Sequence, residues 1–307
     1  MTIHVQYRIN LDQVAIKTLK PDRNKDQDFE REYYALLELK KRPHPNLINL
    51  IVSFDHARIV QGNKVIERNF MFPRAMGNMK QLFRGDLNLN TIAEHARRGL
   101  WFQIPALADA LDHIHTSLRL AHADLKASNI LLFLSSSNKS VVAKIADFGL
   151  AADLEQLRTW QVGTIEKQSA IRYDPPELRL QKSLTPTRDQ VQKGDVWKLG
   201  CVFAELITFL ILGVKGVADF RIVRTTSVPG LTSDAFSPIL FDDGINLKQE
   251  VRDWLEKLAA LDIHATEIMA ITLDMLNPEQ TRPLSEEVKS RFEMVSILIA
   301  VCRKSAN

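Results

Sequence analysis

The sequence predicts an α+β fold of two unequal lobes: a small, mostly-β lobe over residues 1–73 and a larger, mostly-α lobe over 79–307, joined by a linker at 74–78. Three observations predict it. At 307 residues the chain exceeds what one small core organises, because single hydrophobic cores stop growing near ~250–300 residues. Up to Pro73, short β-rich runs alternate with turn signals, and from Met79 onward the apolar spacing becomes helical. With 45% hydrophobic and 25% charged residues, the chain can fill both cores and lacks the bias of disordered or fibrous sequences.

The elements follow in order. "MTIHVQYRINLDQVAIKTLK" alternates apolar and polar residues around the turn-like "NLDQ" and reads as a hairpin. "DQDFEREYYALLELKK" places Phe29, Tyr33, Leu36, Leu37 and Leu39 on a helical stripe, and "QGNK" then separates two further strands before Pro73. "LWFQIPALADALDHIHTSL" aligns Trp101, Ile104, Leu107, Leu111 and Ile114 on one helix face, and "NILLFLSSSNKSVVAKIADFGL" gives two strands joined by a polar turn. The run Val196–Val214 is apolar enough to suggest a membrane span. Asp195 opens it and Lys198 and Glu205 interrupt it, so a buried helix is expected. An irregular stretch from Gly213 to Asn246 follows, read as a surface insertion with docking as the alternative.

Bulk properties exclude several function classes. The formal net charge is +3 and the longest basic run is Lys40–Arg42, so no nucleic-acid partner is expected. Cys201 and Cys302 lie far apart without zinc-type spacing, which predicts reduced thiols in an intracellular protein, cytoplasmic or nuclear. The opening "MTIHVQYRINLDQ" has no leader-like apolar region, and no membrane partner is expected.

Four motifs carry chemistry-bearing side chains in a fixed order: "VAIK" (Val14–Lys17), Glu32 on the following helix, "HADLKASN" (His122–Asn129) and "DFG" (Asp147–Gly149). "PPE" (Pro175–Glu177), "GDVWKLG" (Gly194–Gly200) and "NPEQTRP" (Asn277–Pro283) continue the series. Together they resemble the protein kinase family across essentially the whole chain. That resemblance implies ATP and Mg²⁺ as cofactors and a protein as substrate. Lys17 would contact the α and β phosphates and pair with Glu32, with Glu30 as the alternative partner. Asp124 would orient the acceptor hydroxyl, Lys126 would neutralise the transferred phosphate, and Asn129 and Asp147 would ligate Mg²⁺.

By the same resemblance Met71 would be the gatekeeper, the backbones of Phe72 and Arg74 would contact adenine, and Asn78 would line the nucleotide site. His122, Phe148, Leu36 and Asp195 would stack as an internal spine, and Glu177 would pair with Arg282. The lysine two residues after Asp124 resembles Ser/Thr kinases, so transfer to Ser/Thr hydroxyls is expected.

The pattern departs from the family in three places. No glycine precedes Gly62, so the first strand and glycine-rich loop are expected to be missing, as in an incomplete chain. Ala123 stands where many kinases carry an arginine, which predicts weak dependence on phosphates at Thr159, Thr164 or Ser169. Ser169 and Ala170 replace the usual Gly-Thr. The alternative to an active enzyme is therefore a pseudokinase serving as a nucleotide-binding or scaffold module. A small-molecule kinase is disfavoured by "PPE", "GDVWKLG" and Arg282.

Overall fold

Three antiparallel strands occupy the alternating segments before Pro73 in the computed structural model, which describes residues 13–19, 25–87, 99–135, 140–154, 172–180, 186–225, 239–262 and 265–305. They are β1 (Val14–Leu19), β2 (Val52–Val60) and β3 (Asn63–Pro73), in the order β1-β3-β2. The first half of the expected opening hairpin lies outside the described residues. "QGNK" does turn the chain: Gln61 and Gly62 have φ of 51° and 80°, the paired positive values of a tight hairpin turn, and Val60 pairs with Asn63 across it.

Helix α1 (Lys25–Lys41) covers this sheet. Its stripe buries Ala35, Leu36 and Leu39, and Phe29 stacks on Phe70 of β3 with centroids 4.9 Å apart. The next segment crosses to the other lobe, where Ile48 N–H donates to the Ile145 carbonyl (2.9 Å) and Ile145 N–H to that of Asn46 (2.8 Å). The helix carrying Glu32 is thereby tied to the strand leading into "DFG".

The second sheet is β4 (Gly77–Asn78), β6 (Ile130–Leu134) and β7 (Val141–Ile145), in the order β4-β6-β7; β5 (Leu120–Ala121) pairs with β8 (Ala152–Asp153). Around them lie α2 (Met79–Arg84), α3 (Gln103–Asp112), α4 (Pro176–Leu180), α5 (Arg188–Val223), α6 (Gln249–Leu261), α7 (Thr266–Met275) and α8 (Ser285–Ser305). The fold is α+β, with a small mostly-β part and a larger helical part.

Helix α5 organises the larger part. A capping box starts it, Thr187 and Gln190 each accepting the other's backbone N–H, at 3.3 and 3.0 Å. It is long and apolar enough to cross a membrane by length and composition, but Val196–Phe209 is buried inside the protein. Full burial of side chains such as Trp197, Phe203 and Phe220 contributes roughly 2–3 kcal/mol each.

The irregular stretch expected from Gly213 is corrected here. Gly213 (φ 70°, ψ −162°) is non-helical and breaks α5 at a kink, but the chain resumes as helix to Val223, where Val217 and Phe220 recur at helical spacing and are buried. Residues 226–238 of that stretch lie outside the described residues.

Candidate active site

The loop His122–Asn129 runs from β5 to β6 and is gripped from below by Asp195 of α5. The Asp195 carboxylate accepts the backbone N–H groups of His122 (2.7 Å) and Ala123 (2.9 Å) and meets His115 Nε2 at 3.2 Å. Ala123 has φ 63°, a left-handed conformation that an L-residue adopts at a cost of about 1–2 kcal/mol. Asp195 stabilises that bend. Burial favours the charge-free carboxyl of Asp195, but His115 and then Lys198 hold it below its ordinary value, so it remains an acceptor.

His122 is fully buried. Its Nδ1 accepts the Asp124 N–H (3.2 Å), so Nε2 carries the proton and donates to the Ala146 carbonyl (3.0 Å). Burial keeps the ring's pKa below its ordinary value, and the neutral tautomer that fits both bonds is the one expected. Its ring lies 4.8 Å from that of Phe148, centroid to centroid, which ties the loop to "DFG".

Those bonds present Asp124 and its neighbours. Lys126 Nζ lies 2.6 Å from Asp124 Oδ2, and the Asn129 amide donates both to the Asp124 carbonyl (2.9 Å) and to Oδ2 (3.0 Å). Ala146 N–H donates to the Asn129 carbonyl (2.9 Å), which sets "DFG" beside the loop.

Lys17 on β1 joins the two lobes. Its ammonium is 2.7 Å from Glu32 Oε1, 2.8 Å from Glu32 Oε2 and 2.7 Å from Asp147 Oδ1. Burial opposes its charge, yet Asp147 and Glu32 hold Lys17 above its ordinary value. Glu32, 2% exposed, is the partner, whereas Glu30 pairs with Arg68 on the surface. Burial pushes Glu32 up; on the more exposed Asp147, Lys17 outweighs burial and keeps the carboxyl low. Asp147 has φ 68°, and a Cβ added to Gly149 would lie 3.5 Å from both Asp147 Oδ1 and Glu32 Oε2. Such a Cβ would be in ordinary contact with the cluster.

The linker residues are differently engaged. Met71 is buried at the end of β3, and Phe72 stands opposite Ala15 of β1. Arg74 N–H donates to the Gln13 carbonyl (2.8 Å), so in this structure that amide is spent within the protein. Asn78 caps α2: it accepts the Gln81 N–H and the Gln81 side chain accepts its own, both at 3.0 Å.

The family model described as "Protein kinase domain" matches residues 4–225. This chain belongs to the protein kinase domain family. A probable leucine-rich repeat receptor-like protein kinase of Arabidopsis thaliana, IMK3, is 28% identical over 288 residues, covering 90% of this chain and 33% of that protein. Extracellular signal-regulated kinase 7 of Drosophila melanogaster is 27% identical over 302 residues, 92% of this chain and 30% of the relative. Mitogen-activated protein kinase 13 of Pan troglodytes is 30% identical over 225 residues, 71% and 53% respectively. The chain thus spans about a third of the first two relatives. The crystal structure of the maize SIRK1 kinase domain bound to AMP-PNP matches with a TM-score of 0.52 at 17% identity, over 92% of this chain and 85% of the other. That likeness speaks for the fold.

A kinase domain needs a site for Mg²⁺, and the oxygens here suit it. Both donors of the Asn129 amide are spent on Asp124, its Oδ1 accepts only a long bond from the Ser128 hydroxyl (3.5 Å) and keeps a second lone pair, and Lys17 takes only Oδ1 of Asp147. No group of three His, Cys, Asp or Glu side chains gathers among the described residues, so a cage made wholly of such groups is not offered. Two hard oxygens fit Mg²⁺, which keeps waters and takes phosphate oxygens for its remaining positions.

Further from the chemistry, Arg282 meets Glu177 at 2.6 Å and lies over the Trp197 ring at 4.8 Å. Leu36 belongs to the same core as Phe148. Thr159, Thr164, Ser169 and Ala170 lie outside the described residues.

One contributor was missed. In the sequence Lys198 only interrupts an apolar run; in the fold it is buried, with Nζ 2.5 Å from the Ala123 carbonyl and 2.9 Å from Asp174 Oδ1. Burial opposes its charge, but Asp174 and Asp195 hold it above the ordinary value. It links the His122–Asn129 loop to the segment before "PPE". A charge that breaks an otherwise continuous buried stripe was the available signal, since such a charge has to be paired.

Proposed function

We propose that this domain transfers the γ-phosphoryl group of ATP to Ser or Thr hydroxyls of protein substrates inside the cell. The observation that carries the proposal is Lys17, held within 2.8 Å of both Glu32 and Asp147 and thus bridging the lobes where the nucleotide phosphates would lie. Phosphoryl transfer is mostly positioning and charge compensation, and the assembled side chains supply both.

In this reading Lys17 grips the α and β phosphates, with Glu32 orienting it. Asp124 accepts the acceptor's hydroxyl proton, and Lys126 offsets the charge of the phosphoryl group in transfer. Asn129 and Asp147 hold Mg²⁺, which when bound neutralises phosphate charge. Residues 1–73, 74–78 and 79–307 serve as small lobe, hinge and large lobe. Phe72 contacts adenine through its backbone, Asn78 borders the nucleotide, and Arg74 joins them once its N–H exchanges the Gln13 carbonyl for the base. The lysine two residues after Asp124 supports Ser/Thr acceptors.

A second reading, a binding module without turnover, is favoured by one observation: the Arg74 amide already has its partner in Gln13. Incubation with γ-labelled ATP, Mg²⁺ and protein substrates separates the two. Label on Ser or Thr supports transfer; nucleotide binding without label supports the second reading, and label confined to Tyr contradicts the acceptor assignment.

A further inference from the structure

Below the catalytic loop lies a cavity of about 320 Å³ whose charged lining is nearly all cationic: Lys80 and Arg84 from α2, Lys126 from the loop, Arg172 before α4, and Arg221 and Arg224 near the end of α5. We propose that it binds acidic or phosphorylated side chains of the peptide substrate, and so selects acceptors in acidic surroundings. This deepens the kinase reading above and rests on it.

Among the described residues Glu205 is the only carboxylate in that lining, and it is spent. Arg224 meets it at 2.7 Å and the Tyr173 hydroxyl donates to it at 2.6 Å. Lys126 is engaged by Asp124 at 2.6 Å. Lys80, Arg84, Arg172 and Arg221 remain, and none of them has a carboxylate partner among the described residues. Lys80 and Arg84 are also one turn apart on the same helix, an arrangement of like charges that opposes helix formation. Partial burial lowers the pKa of both Lys80 and Arg172. Neighbouring cations, Arg84, Arg172 and Arg221 around Lys80 and Arg221 beside Arg172, lower it further, with Tyr173 and Glu205 acting the other way on Arg172. The fold therefore gathers cations that repel one another, and among the described residues the carboxylate in their midst, Glu205, is already paired with Arg224. An external carboxylate or phosphate relieves that repulsion, and the guanidinium forks match its paired oxygens.

Position identifies the source of the anion. Lys126 lines the cavity and touches Asp124, so an acceptor hydroxyl at Asp124 and an anionic side chain in the cavity belong to neighbouring residues of one extended peptide. Phe83, Val214 and Val217 add an apolar wall to the cavity, which suits a peptide side chain better than a flat lipid surface.

Fluorescence anisotropy on the full chain without nucleotide tests this. One labelled peptide carries Glu and phosphoserine around a Ser acceptor; its twin carries Gln and Ser at those positions. The acidic peptide is expected to bind at least tenfold more tightly, with the gap shrinking as salt rises. The triple variant Lys80→Gln, Arg84→Gln, Arg221→Gln is expected to lose that preference. All three residues are exposed, so the variant is expected to fold, and a thermal melt checks that it does. Equal affinity for the two peptides overturns the proposal, as does a preference that survives in the folded variant. So does tight binding of anionic lipid vesicles with no peptide preference. Because binding is read without ATP, failure to transfer phosphate counts against the proposed activity alone, and loss of the preference counts against the cavity alone.

Discussion

Lys198 shows how one buried charge ties a loop to a segment distant in sequence. Its buried ammonium reaches the His122–Asn129 loop from α5, bonding the Ala123 carbonyl and Asp174. Replacing Lys198 with Met leaves the Asp174 carboxylate and that carbonyl buried without their partner. Removing one member of a buried pair costs about 3–5 kcal/mol, so Lys198→Met is expected to destabilise the domain by about 3 kcal/mol in urea unfolding. An unchanged midpoint would show that the contact contributes nothing. At this scale Asp124, Lys126 and Asn129 were legible because they stand within one eight-residue motif. The pairing of Lys198 with the Ala123 carbonyl was not, because the two lie 75 residues apart along the chain and only the fold brings them close.

Among the elements, those with strong periodicity or a punctuated turn were readable: α1 from its stripe, the β2–β3 hairpin from "QGNK", α3 from Ile104, Leu107 and Leu111. The continuation of α5 beyond Gly213 was not, because a glycine normally ends a helix and here a kink keeps Val217 and Phe220 in the core. The same helix is fastened to its surroundings by Arg282, whose guanidinium meets Glu177, covers Trp197 and donates to the Lys193 carbonyl at 3.1 Å. Arg282→Ala leaves Glu177 without its partner and uncovers Trp197. A loss of about 3 kcal/mol is expected, read as an earlier unfolding midpoint, and a loss under about 0.5 kcal/mol would mean the link is only a surface contact.

For the whole molecule, buried His122 and partly buried His44 set a pH dependence of stability. Burial holds His122 and His44 below their ordinary value of 6.5. The folded state keeps both neutral, whereas the unfolded chain takes up protons near that pH. Their contribution is therefore complete above pH 6.5 and is lost as pH falls through 6.5 toward the folded values. The melting temperature is expected to drop between pH 7 and pH 5, with a shallower slope in His122→Gln. A rise on acidification, or an identical slope in the variant, would contradict this. The site that His122 supports carries the central claim, that "HADLKASN" is a working catalytic loop. The most direct measurement compares phosphoryl transfer from labelled Mg-ATP by the unaltered chain and by Asp124→Asn. The account predicts transfer by the first and a fall of about 10²–10⁴-fold in the second, with ATP still bound. Equal rates in the two, or bound ATP with no transfer by either, would contradict it.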